Sequence, residues 1–190
     1  MLLHKCIIQL YIAEAFIFIM FERMKRKGFK ILFILSILVL SGLMQRSTAQ
    51  QKLRFDKEEF YNVMSTGDVN AIDNELILVT GYATTNKEGY EGALLLKKAG
   101  LISGPRKKLD LFKAGRIKLE TAIINNPDNV ENHFLRLAIE EHAPKIVKYH
   151  ADIEADKAIV KREFKNLSPV VQHAILDYCK NSKVLHTEDF

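Results

Sequence analysis

Covalent bracing is nearly absent from this 190-residue chain, whose two cysteines are Cys6 and Cys179. Cys6 lies in an N-terminal stretch expected to fall outside the mature chain, and the remaining single thiol cannot form an internal disulfide. Cys179 sits beside Tyr178 on an apolar helix face, so it reads as a buried, inert thiol. No run alternates apolar and polar residues long enough to argue for a sheet, and no stretch rich in Pro, Gly or Ser marks a linker. Chemical motifs are equally scarce. The glycines around Gly81, Gly89 and Gly92 lack the Lys-Ser/Thr ending of a phosphate loop. Ser65, Ser103, Ser168 and Ser182 all lie near predicted helix ends, and none occupies a nucleophile elbow. His173 and Cys179 are six apart on one predicted helix, about 240° around it, which excludes a local dyad.

What the N-terminus does contain is a targeting pattern. Lys25, Arg26, Lys27 and Lys30 precede an apolar block from Ile31 to Leu40, and Ser47-Thr48-Ala49 supplies small residues before a cut. That order is expected of a secretory signal peptide over 24–49, cleaved between Ala49 and Gln50. Residues 1–23 read as an upstream extension ahead of a true start at Met24. The alternative is an inner-membrane anchor formed by uncleaved residues 29–44. Each apolar block is shorter than the roughly 20 residues a bilayer span requires, so a two-span hairpin fits worse and no stable span is expected after cleavage.

Cleavage would change the electrostatics. The whole chain carries a formal charge of +5, but seven of its 28 basic and two of its 23 acidic residues fall within 1–49, leaving 21 of each. The mature part is formally neutral, which removes the general argument for a nucleic-acid partner.

Residues 50–190 read as one all-α domain, a bundle of about six to seven antiparallel amphipathic helices. The first runs from Asp56 to Met64 before Gly67, and the second from an Asp68 cap to about Thr80. The third covers Lys87–Ala99, stopping at Gly100. The longest opens at Gly104-Pro105 and carries Leu109, Phe112, Leu119, Ala122 and Ile123 as its main stripe. Ile117 and Ile124 lie to one side, as if meeting a second neighbour. A fifth helix spans Val130–His142, a sixth is capped by Asp152 and displays Ile153, Val160, Phe164 and Leu167, and a last one starts at Ser168-Pro169. Phe112, Leu119, Phe134 and Phe164 are expected in one shared core.

The segment Leu119-Glu-Thr-Ala122-Ile-Ile-Asn-Asn-Pro127-Asp-Asn129 resembles the end of a tetratricopeptide repeat, in which a small alanine precedes a Pro-Asp-Asn turn. Ala122 and Pro127 match that pattern over about 30 residues, roughly 100–130. Gly115 stands where the family has an earlier alanine, His133, Arg136 and Leu137 replace its expected aromatic, leucine and glycine, and no second copy follows. The resemblance implies helical hairpins and a protein-binding groove.

Two candidate sites emerge. In the fifth helix His133 and His142 are nine residues apart, about 900° of turn, so they project to opposite sides, whereas an intrahelical metal pair requires spacing of three or four. Arg136 and Glu140 read as a surface pair. No metal or cofactor is expected. The other candidate is a basic corner of Lys97, Lys98, Arg106, Lys107 and Lys108, the last three opposing the dipole in a helical first turn. No aromatics interleave with these charges, so single-stranded nucleic acid is not the expected partner. The leading expectation is an exported, periplasmic or extracellular, non-catalytic interaction protein that binds a protein or an anionic surface. The alternatives are an enzyme whose site assembles from Glu131, His133, His142 and His150, and a bundle enclosing a small amphiphile.

Overall fold

The structure, a computed structural model, describes residues 55–81 and 86–190. The expectations for residues 1–49, including the Ala49–Gln50 junction, lie outside the described residues. The described part holds seven α-helices: α1 Lys57–Thr66, α2 Val69–Gly81, α3 Lys87–Leu101, α4 Pro105–Asn125, α5 Val130–His142, α6 Ile153–Glu163 and α7 Pro169–Cys179. Single 3-10 turns occupy Lys145–Val147, Phe164–Asn166 and Thr187–Asp189, and no strand occurs among the described residues. The protein is all-α, a helical bundle.

Local sequence explains most boundaries. The Asp56 carboxylate accepts from the Glu58 N–H at 2.9 Å, and Gly67 ends α1 at φ 71°, a left-handed conformation costly for any residue with a Cβ. Asp68 accepts from Asn70 N–H at 3.0 Å, and the Asn129 side chain accepts from Glu131 and Asn132 N–H to start α5. Other expected signals do not act. Asp152 and Ser168 make no side-chain cap bond, and α3 continues through Gly100 to Leu101.

The interior divides into two apolar clusters, which corrects the expectation of a single core. One gathers Phe60, Val63, Ile72, Val79, Tyr90, Leu94, Leu119, Leu135 and Tyr149. The other gathers Phe134, Leu137, Val160, Val171, Ile175, Cys179 and Leu185. Phe112 is only partly buried against the first and Phe164 against the second. Helix α5 feeds both, Leu135 to one and Phe134 and Leu137 to the other, and is therefore buried on nearly every side. On α4, Leu109, Ile117 and Ile124 are exposed; among the described residues no second helix covers that face. Cys179 is buried, and burial pushes its thiol up to about 11, consistent with an inert side chain.

Helix α4 packs chiefly on α3, and two glycines set how closely they approach. A Cβ added to Gly92 would lie 2.6 Å from Leu119 N and 2.8 Å from the Gly115 carbonyl oxygen, while one on Gly115 would lie 2.8 Å from the Gly92 carbonyl. Backbone cannot yield as a side-chain tip can. Gly92→Ala should therefore cost about 1–3 kcal/mol by overpacking. Gly100→Ala, with nothing within 4 Å of its Cβ, should be neutral or stabilise by up to about 1 kcal/mol. Thermal melts of the two variants would test the contrast.

Candidate functional site

The polar side chains of α5 face inward because the helix is enclosed. Glu131, Asn132, His133, Arg136 and Glu140 are all buried. Each carboxylate or cation must then find partners on the surrounding helices, since desolvating an unpaired charge is costly.

Glu131 meets α1 and α3. Its Oε2 accepts from Lys57 Nζ at 2.8 Å, and its Oε1 accepts from the hydroxyls of Tyr61 at 2.8 Å and Tyr90 at 3.1 Å. Burial, followed by the neighbouring Glu131 charge, raises both phenol pKa values, so the two tyrosines remain donors.

His133 and Arg136 meet α6. The Asp156 carboxylate, fully buried, accepts from His133 Nδ1 at 2.6 Å and from Arg136 Nη2 at 2.8 Å through Oδ1, and from Arg136 Nε at 2.7 Å through Oδ2. His133 Nε2 lies 2.8 Å from the Pro127 carbonyl oxygen. A carboxylate and a carbonyl can only accept, so both ring nitrogens are placed to donate and the surroundings favour the imidazolium form. Hydrogen bonding to Asp156 raises the His133 pKa against the opposing effect of burial. Arg136 Nη1 also donates to Glu120 at 2.9 Å and lies 3.5 Å from Asp152. Burial would lower its pKa, but hydrogen bonding to Asp156 and the surrounding carboxylates raise it overall. Glu120 in turn accepts from the Tyr149 hydroxyl at 2.6 Å. The network ties α4, α5, α6 and the loop after α5 together through two cations, His133 and Arg136, and three carboxylates, Glu120, Asp152 and Asp156. It replaces the expected Arg136–Glu140 surface pair.

Glu140 is fully buried elsewhere. Its Oε2 accepts from the Asp152 N–H at 3.1 Å, its Oε1 has no partner among the described residues, and burial raises its pKa. His150 Nδ1 donates to the Glu140 carbonyl at 2.7 Å. His142 is exposed, with Nδ1 3.0 Å from the Ala138 carbonyl. Glu131, His133, His142 and His150 therefore occupy separate environments, and two surface clefts are lined by none of them. Among the described residues no group of three or more potential ligands is arranged to hold a metal.

The basic corner is built by the α3–α4 turn. Lys97 and Lys98 are half-buried; burial lowers the pKa of Lys97, and Lys98 pairs with Asp73 of α2. Arg106, Lys107 and Lys108 are exposed, and among the described residues none of them forms an ion pair. An open cleft of about 440 Å³ adjoins them, lined by Lys98, Ile102, Ser103, Lys107, Asp110 and Leu111. The sequence-predicted cluster thus separates into two lysines engaged by the fold and three cations directed to solvent.

Sequence reasoning missed Asp156 as the centre of a buried network. The signal lay in the spacing: Ile153, Val160, Phe164 and Leu167 leave a position open three residues after Ile153 on the same face, and Asp156 fills it. No known family, curated protein or solved structure matches the chain.

Proposed function

We propose that the chain is an exported, non-catalytic helical binding protein whose α3–α4 corner docks an anionic partner. One observation carries the reading: three exposed cations, Arg106, Lys107 and Lys108, stand in the first turn of a 21-residue helix with no acidic residue there to offset the helix dipole. An adjoining cleft gives a partner somewhere to rest. The acid–base groups of α5 support the non-catalytic part, because Glu131, His133 and Arg136 are held by side chains of other helices rather than presented to a pocket. Export rests on the sequence pattern of residues 24–49.

Changing Arg106, Lys107 and Lys108 together to Gln should leave stability within about 0.5 kcal/mol of wild type or slightly higher, as expected at an exposed site that opposes the dipole. Retention by envelope fractions of the native host should fall at low salt. The difference should fade as the Debye length shortens to about 10 Å near 0.1 M. Equal retention of wild type and variant at every ionic strength would overturn the reading.

A further inference from the structure

Beyond its first turn, α4 presents a second exposed feature. At 100° per residue Arg106, Leu109, Lys113, Ile117 and Ile124 share an arc of about 80° and run about 27 Å along the helix. Leu109, Ile117 and Ile124 are 45%, 67% and 76% exposed. The loop after α5 is held against the flank of this face. Tyr149 is fastened to α4 by an edge-on contact with Phe112 at 5.7 Å, by the Arg116 guanidinium 4.7 Å from its ring centre and by its hydroxyl bond to Glu120. The same loop carries Ile146, 89% exposed, between the exposed Lys145 and Lys148.

We infer that this α4 ridge, together with the Lys145–Lys148 turn, is a peripheral docking surface for an anionic phospholipid bilayer. The inference rests on the reading above and names its partner. The face offers protruding aliphatic side chains interspersed with Arg106, Lys113, Arg116, Lys145 and Lys148. Its acidic residues are Glu120, engaged by Arg136 and Tyr149, and Asp110, at the edge beside the cleft. Cations that reach headgroup phosphates around aliphatic groups that enter the acyl boundary are the recognition chemistry of interfacial helices. A second copy of the chain would set cation against cation.

The chain contains no tryptophan, so a single introduced one reports locally. This matters because the apolar run at 31–40 would itself bind vesicles and obscure total retention. In the full chain, Ile117→Trp should show a blue-shifted emission and protection from iodide with phosphatidylglycerol-rich vesicles, but not with phosphatidylcholine alone. Ile77→Trp, at a comparably exposed position on α2, should not respond. Adding Ile124→Ser and Ile146→Ser to the Ile117→Trp reporter should weaken its response to lipid by on the order of tenfold, as expected for lost aliphatic burial. An Ile117→Trp spectrum unchanged by anionic vesicles would overturn the proposal. So would an equal response at Ile77→Trp, which indicates general adsorption, or a shift that follows protein concentration without lipid, which indicates self-association. A response at Leu101→Trp without one at Ile117→Trp would also overturn it while leaving the corner as a docking site. The functional reading fails separately, by the salt series above.

Discussion

Replacing Asp156 with alanine is expected to destabilise the protein by about 3–5 kcal/mol, the usual consequence of removing one partner from a buried ionic group. Asp156 is fully buried and accepts three hydrogen bonds from His133 and Arg136. Its loss strands a guanidinium between α5 and α6 and removes the acceptor that favours the imidazolium. Urea denaturation followed by circular dichroism would measure the change, and a loss below about 1 kcal/mol would mean that water or Glu120 substitutes readily. A second readout separates this mechanism from simple loss of packing. The folded-state pKa of His133 is raised above its ordinary value, so its contribution is fully present below about 6.5 and is lost as pH rises through the folded value. In Asp156→Ala that part of the pH dependence should diminish, because the group that raises the pKa has gone.

Phe134→Ala should cost a similar amount, about 3–5 kcal/mol, for a different reason. Phe134 is buried and joins three helices: its ring meets Tyr178 of α7 edge-on at 5.6 Å and Tyr61 of α1 at 6.1 Å. Phe134 is the largest buried member of its cluster, so truncating it to a methyl group removes more volume there than any other single change to alanine. Chemical denaturation would decide the matter; a loss under about 1 kcal/mol would mean that the second cluster tolerates an opening at its centre.

The helices themselves were legible because their signals are local. The acidic start at Asp56, the Asp68 cap, Gly67 and the Gly104-Pro105 start act within a turn or two of chain, and the boundaries of α1, α2 and the start of α4 follow them closely. What arrives at a face is a different kind of information. Periodicity grouped Ile117 with Ile124, yet nothing in their spacing reveals that among the described residues no helix covers them. The same limit hid the interior of α5. A sequence with polar residues around its whole circumference reads as partly solvated, whereas α1, α3 and α6 bring Lys57, Tyr90 and Asp156 to meet those residues. The solvent-facing part of the basic corner was legible, since Arg106, Lys107 and Lys108 are adjacent in sequence; the engagement of Lys98 by Asp73 depends on how α2 packs and was not.

The position of α5 between the two apolar clusters bears on how the molecule opens. Its residues supply side chains to both clusters and to both polar networks, so neither half retains a complete interior once α5 leaves. Partial unfolding that releases α7 or the α1–α2 pair leaves most of its contacts standing, whereas release of α5 dissolves all of them at once. Its backbone amides should consequently be among the last to exchange with deuterated solvent, at a free energy close to that of global unfolding, while those of the peripheral helices exchange through smaller openings.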